Sequence, residues 1–185
     1  MIISIGGTAG SGKSTIGKLL AEKLGWPRYY IGGLRRQKAR ERGMTLAEYN
    51  KLGETDPSTD FEVDEYQKEL AQKEDSFIIE GRTSWFFIPE SIKIFVTVSE
   101  EEGARRVLKE LQESDRRNED SELQTLEDVI LSHRKRIESD NKRYQKYYHI
   151  SVYDPANYDF VVDTTDLSRE EAFARVLSYI QERLR

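Results

Sequence analysis

Cysteine is absent from the 185 residues, which removes disulfides, thiolate metal sites and thiol catalysis together. Histidine is scarce: His133 and His149 stand alone, with no partner pattern for metal ligation or general-base work. No run of about 18 apolar residues occurs, so nothing reads as a membrane span. The apolar start, Met1 to Ile5, gives way at once to glycine, with neither the basic leader nor the long apolar core of a secretion signal. A soluble cytoplasmic protein is therefore expected. Internal repeats and low-complexity tracts are missing as well. Positive charge is not in excess either: 29 basic against 34 acidic residues give a net charge of −5, which argues against general nucleic-acid binding. What remains is the length of one moderate domain, 34% charged and 37% hydrophobic. That suits a packed core with a large solvated surface, as in a protein with lobes around a cleft.

Against these absences one stretch carries most of the information. The apolar run Ile2-Ile3-Ser4-Ile5 leads into Gly7-Thr8-Ala9-Gly10-Ser11-Gly12-Lys13-Ser14-Thr15, which fits G-x-x-x-x-G-K-[ST]. Glycines let the backbone turn tightly with its N–H groups inward, forming a concave nest for a polyphosphate. Lys13 would reach the β- and γ-phosphates, and the Ser14 hydroxyl would ligate Mg²⁺. Ile16, Leu19, Leu20 and Leu24 then follow at helical spacing, so the loop opens a helix whose positive dipole end adds to the anion site.

Further strands are expected at 28–31, 76–80, 91–98 and 160–163, and helices at 34–42, 45–52, 61–73, 100–111, 126–147 and 168–184. Thr45 with Glu48, and Ser168 with Glu171, have capping-box spacing. Strands alternating with helices, the first ending in a phosphate loop, imply a three-layer α/β/α sandwich on a five-stranded parallel sheet. Two pieces stand outside this frame. Residues 32–73 read as a helical insertion, and 113–124, almost wholly polar, as a lid; the core is then 1–31, 74–112 and 125–185. A small kinase needs two such pieces, one for the phosphoryl acceptor and one to close over the donor.

Beyond the loop, Glu80-Gly81-Arg82 follows a buried strand directly. At a strand's carboxyl end such a carboxylate can organise Mg²⁺ and such an arginine can fork onto an acceptor phosphate, although the triplet also reads as a surface turn. Arg136, Asp140 and Arg143 share one helix face. Taken alone, that is a solvated ion-pair ladder; beside a phosphate loop it is also what a nucleoside monophosphate needs. Arg116 and Arg117 lie in the lid segment, where cations would neutralise charge on the transferring phosphoryl group. Arg36 follows Gly32-Gly33 in a basic run with Arg35, Lys38, Arg40 and Arg42. Asp64 and Gln67, at i and i+3, could hydrogen-bond a base edge.

These residues resemble the cytidylate kinases, most closely their short archaeal-type branch. The likeness runs through residues 6–15, Glu41-Arg42-Gly43-Met44-Thr45-Leu46, Asp56-Pro57 with Asp60, Asp64 and Gln67, then Glu80-Gly81-Arg82, Glu138-Ser139 and Lys142-Arg143-Tyr144. The Arg136, Asp140, Arg143 triplet is also similar to the R-x-x-x-D-x-x-R signature of bacterial members. The resemblance implies ATP on Gly7, Thr8, Ala9, Gly10, Ser11, Gly12, Lys13, Ser14 and Thr15. It implies CMP or dCMP on Gly32, Arg36, Asp64, Gly81, Arg82, Arg136, Asp140 and Arg143. Lys13, Arg117 and Arg136 would serve the phosphoryl transfer, with Mg²⁺ held at Ser14 and Glu80. The partners are then small molecules, with no nucleic acid or membrane, and the chain is expected to be a monomer. Two alternatives stay open: the same reaction on UMP, AMP or another small acceptor, and a nucleotide-dependent switch. A guanine-specific switch normally carries N-K-x-D, but the only Asn-Lys pair, Asn141-Lys142, is followed by Arg143-Tyr144.

Overall fold

A computed structural model describes residues 1–113 and 123–183. In chain order it contains β1 (Ile2–Gly7), α1 (Lys13–Leu24), β2 (Arg28–Tyr30), α2 (Ile31–Glu41), α3 (Leu46–Gly53), α4 (Ser58–Lys73) and β3 (Phe77–Glu80). These are followed by α5 (Ser84–Phe87), β4 (Ile92–Thr97), α6 (Glu100–Glu113), α7 (Leu126–Tyr148), a 3₁₀ turn at Pro155–Asn157, β5 (Phe160–Asp163) and α8 (Arg169–Arg183). Every strand pairing is parallel, and the sheet order is β2-β3-β1-β4-β5. From β1 the chain builds first toward one edge and then toward the other. The carboxyl end of β1, between β3 and β4, is therefore the topological switch point where open α/β sheets take their ligands.

Alternation along the strands sets the layers. Ile3, Ile5, Ile78, Ile94, Val96 and Val162 turn to one face, under Ile16 and Leu20 of α1 and Ala172, Val176 and Ile180 of α8. Ile2, Phe77 and Ile79 turn to the other, under Ile31, Val63, Leu70 and Ile88. Each fully buried isoleucine contributes about 1.5–3 kcal/mol over an exposed one, so this double-sided core holds the phosphate loop on a stiff base. Ala104, Val107 and Val129 join α6 to α7 in a smaller cluster. The expected three-layer sandwich is present.

The helix signals act as expected. Gly25 closes α1 in the left-handed region, at φ 68°; Thr45 and Glu48 form a reciprocal capping box on α3, and Ser168 and Glu171 do the same on α8. One boundary moves. A helix expected over 34–42 begins at Ile31 instead, with Gly32 and Gly33 in its first turn. The Tyr30 ring lies where side chains at either glycine would go, so the glycines admit the ring rather than stopping the helix. The short α5 had no periodic signal, being four residues long. Arg116 and Arg117, the expected lid cations, fall outside the described residues.

Candidate active site

The phosphate loop is shaped by its glycines. Gly12 is the N-cap of α1 at φ 85°, with no side-chain cap; Thr15 N–H bonds back to the Gly12 carbonyl at 3.0 Å, and the earlier N–H groups of the turn suit an anion. At Gly10, φ is 71° and a Cβ would collide with the Gly103 carbonyl on α6. The loop is thus packed against two elements distant in sequence: the Thr164 hydroxyl also donates to the Ser11 carbonyl at 3.0 Å. The Lys13 ammonium folds back onto the Thr8 carbonyl and lies 3.4 Å from Ser11 Oγ.

A cavity of about 590 Å³ extends from this loop to α2, α4 and α7. Gly7, Ala9, Gly10, Gly12, Lys13, Ser14 and Thr15 line one end; Arg36, Arg82 and Arg136 line it too, with Gly32, Gly81 and Asp64. Residues as distant as Lys13 and Arg136 therefore share one space. Thr8 and Ser11 are not among its lining residues; Ser11 is fully buried and ties the loop together.

Asp140 and Arg143 do not line the cavity. Both are buried behind its wall, at 1% and 0% exposure, in a chain of alternating charge. Arg35 donates to Asp60 Oδ1 at 2.9 Å; Arg143 bridges Asp60 and Asp140; and Asp140 Oδ2 lies 2.9 Å from Arg82 Nε. The Tyr153 hydroxyl, 2.7 Å from both Arg82 Nε and Asp140 Oδ2, closes the end of the chain. Burial alone would raise the Asp140 carboxyl, but Arg82, Arg143 and Arg136 hold it down to about 2. Burial likewise opposes the charge on Arg82, and Asp140 more than restores it. Among the described residues no hydrogen bond of Arg82 uses a terminal nitrogen, so its fork remains available at the cavity wall. The shared helix face of Arg136, Asp140 and Arg143 thus divides by depth, Arg136 facing the cavity and the other two bracing it.

Glu80 ends β3 at the cavity wall. Arg28 holds its Oε1, while Oε2 is buried with no hydrogen-bond partner among the described residues. Ser14 and Glu80 offer two hard oxygen donors beside the phosphate nest. That set suits Mg²⁺, which keeps several waters and takes phosphate oxygens as further ligands. No group of three metal-binding side chains exists among the described residues.

Asp64 lines the cavity, whereas Gln67 does not: its amide donates to Asp64 Oδ1 at 2.9 Å and Thr83 Oγ1 at 3.1 Å, and accepts from Ser84 Oγ at 2.5 Å. The expectation that Gln67 reads a base is corrected; it is a fully buried strut. Burial pushes the Asp64 carboxyl up to about 6, against the hydrogen bonds from Tyr148 and Thr83.

Three cavity-lining arginines, Arg35, Arg40 and Arg106, were not singled out from the sequence. Arg35 looked like one more member of a surface basic run, but its Asn50, Thr59 and Asp60 partners bury it. Arg106, part of no sequence motif, pairs with Glu102 at 2.9 Å and also donates to the Thr164 carbonyl at 2.8 Å. Only a signal linking residues some 60 positions apart would have found it.

The chain is similar to known proteins. Residues 3–127 match a sequence family described as an AAA domain. A cytidylate kinase of Methanococcoides burtonii is 34% identical over 165 residues, covering 89% of this chain and 88% of that one. One from Pyrococcus furiosus is 35% identical over 181 residues, covering 97% and 88%. Among solved structures, a shikimate kinase from Bacteroides thetaiotaomicron superposes with a TM-score of 0.66 at 16% identity, covering 98% of each chain. That last likeness is one of fold. No helix of the described residues is long and apolar enough to cross a membrane.

Proposed function

The chain belongs to the cytidylate kinase family, and from that premise we propose that it transfers the γ-phosphoryl group of ATP to the 5′-phosphate of CMP or dCMP, yielding ADP and CDP or dCDP. The observation that carries this reading is the single cavity with a phosphate nest at one end and the guanidinium groups of Arg36, Arg82 and Arg136 elsewhere on its wall. One anion site serves a donor triphosphate, and a second cationic site serves an acceptor already bearing a phosphate. A plain sugar acceptor would have no use for three arginines.

In the transfer an acceptor phosphate oxygen attacks the γ-phosphorus while its bond to the bridging oxygen of ADP breaks. The nucleophile is already anionic, so no general base is needed; catalysis rests on alignment and charge neutralisation. The α1 amides and Lys13 hold the β- and γ-phosphates, Arg82 and Arg36 hold the acceptor phosphate, and Arg136 faces the space between. Asp140 and Arg143 act through Arg82, fixing its Nε so that its terminal nitrogens point to the acceptor. Ser14 and Glu80 would hold Mg²⁺, which supplies charge neutralisation on the donor phosphates. Arg117 is proposed as a lid cation from the family resemblance.

Initial rates of ADP release with ATP and Mg²⁺ over CMP, dCMP, UMP, AMP, GMP and shikimate test the reading. CMP or dCMP should give the largest kcat/KM. A larger value for shikimate or AMP would reassign the acceptor, and no activity with any of them would favour the switch.

A further inference from the structure

We propose that Tyr30 is a positioning residue for Arg36, its hydroxyl and ring setting that guanidinium toward the acceptor phosphate, and that Gly33 is kept small to admit the ring. The inference rests on the reading of Arg36 as an acceptor-phosphate cation. It adds what holds that cation in place.

The start of α2 departs from what a helix start needs. Tyr30 stands at the N-cap with no side-chain hydrogen bond to the first turn, where serine, threonine, aspartate or asparagine would cap it. Gly32 and Gly33 then occupy that turn, and glycine loses more chain entropy on entering a helix than alanine does. Local choices that work against an element point to a gain elsewhere. Here the gain is the placement of one ring. Tyr30 folds back over the turn, so that a Cβ at Gly33 would meet its Cδ1 at 2.8 Å and a Cβ at Gly32 its Cε2 at 2.9 Å. For both glycines the three nearest atoms belong to this ring.

Tyr30 is 43% exposed, yet it lines the same cavity as Arg36. Arg36 Nη1 donates to Tyr30 Oη at 2.7 Å and to the Gly32 carbonyl at 3.2 Å. A charged donor makes the first of these one of the stronger kind of hydrogen bond. Arg36 Cζ also lies 5.9 Å from the ring centroid, within the range of cation–π attraction. Arg28, two residues back on β2, has its Cζ 5.8 Å from the same centroid and holds Glu80. One ring therefore serves a guanidinium on the acceptor wall and another on the Glu80 side. A long arginine side chain gives up rotamer freedom when it grips a ligand. The Tyr30 hydroxyl removes part of that freedom before the substrate arrives.

Two substitutions separate hydroxyl from ring. Tyr30→Phe deletes the hydroxyl and keeps the ring; Gly33→Ala keeps the hydroxyl and pushes the ring aside. The test is initial-rate kinetics with ATP, Mg²⁺ and CMP. In Tyr30→Phe the KM for CMP should rise at least about fivefold, with kcat and the KM for ATP within about twofold, because the lost bond supports the acceptor in ground and transition states alike. Gly33→Ala should raise the KM for CMP at least about threefold while melting no lower than the wild type, alanine being the better helix former. In a Tyr30→Ala background the same change should alter that KM by less than about 1.5-fold, since no ring is left to displace. A Tyr30→Phe enzyme with an unchanged KM for CMP overturns the proposal, and this arm decides alone if Gly33→Ala fails to fold. A parallel rise in both KM values also overturns it, since that is what a purely structural loss would give, as does a Gly33→Ala effect that is equal with and without the ring. A wild type that turns over no monophosphate would sink the kinase reading and the proposal with it, an outcome distinct from normal wild-type turnover with unmoved variants.

Discussion

Replacing Arg143 by methionine should destabilise the protein by about 3 kcal/mol, and the figure follows from the buried charge chain. Arg143 has no exposed side-chain surface and bridges Asp60 and Asp140. Removing one member of a buried ion pair costs about 3–5 kcal/mol, because the partner is left charged and desolvated. Here each carboxylate keeps one arginine, Asp60 through Arg35 at 2.9 Å and Asp140 through Arg82 at 2.9 Å. The guanidinium also has a buried Nε with no hydrogen-bond partner. Both features place the loss at the low end. Methionine keeps most of the stem's packing, so the charge is what the substitution isolates. In a chain of this length each kcal/mol lowers the melting temperature by about 2–4 °C, giving a fall of about 6–12 °C. Arg105→Met is the control: Arg105 pairs with Glu101 and Glu102 at 57% side-chain exposure, and surface pairs of that kind shift melting by only a degree or two. Calorimetric scans of both variants at pH 7.5 decide the matter. If Arg143→Met melted no lower than Arg105→Met, the buried network would not be holding the fold as argued.

Other consequences are as direct. Lys13→Ala should lower kcat by at least about 10³, some 4 kcal/mol of lost charge stabilisation, and melt within about 2 °C of wild type; near-normal turnover would remove Lys13 from the chemistry. Arg82→Ala should cost about 2–5 kcal/mol in kcat/KM for the monophosphate, with the apparent affinity for ATP little changed. The two perturbed aspartates act on stability with opposite signs. Asp140, lowered from 3.8 to about 2, stabilises the fold by about 2 kcal/mol above pH 4, and this is lost as pH falls toward 2. Asp64, raised from 3.8 to about 6, favours the fold below pH 4 and loses that contribution as pH rises through 6. Urea midpoints should therefore peak in mildly acid buffer, and Asp64→Asn should remove most of the loss between pH 5 and 7.5. A midpoint that climbs steadily from pH 5 to 7.5 would contradict the buried, unpaired carboxylate.

What could be read from the sequence was whatever is local. The phosphate loop declares itself because strand, glycines, lysine and helix are contiguous. Helix ends at Gly25, Thr45 and Ser168 are legible because capping uses neighbours three or four residues away. The five strands follow from short β-branched runs bounded by charge. Depth was not legible. Arg136, Asp140 and Arg143 have the same helical spacing whether a partner helix covers them or water does, and only the packing of α3, α4 and α7 places two of them behind the wall. Arg35 and Arg106 were hidden for the same reason: each is paired with residues far along the chain, so their composition resembles ordinary solvated surface. For Gln67 too, spacing cannot tell a side chain that faces a cavity from one that braces its neighbour.

The most direct measurement places CMP, UMP and GMP at equal concentration in one reaction with limiting ATP and Mg²⁺ at pH 7.5, and resolves the diphosphates formed by chromatography. CDP should appear at least tenfold faster than UDP and GDP, with ADP accounted for stoichiometrically as the other product. Equal formation of CDP and UDP would refute the base selection. ADP accumulating with no diphosphate partner would show hydrolysis, and the acceptor site described here would not exist.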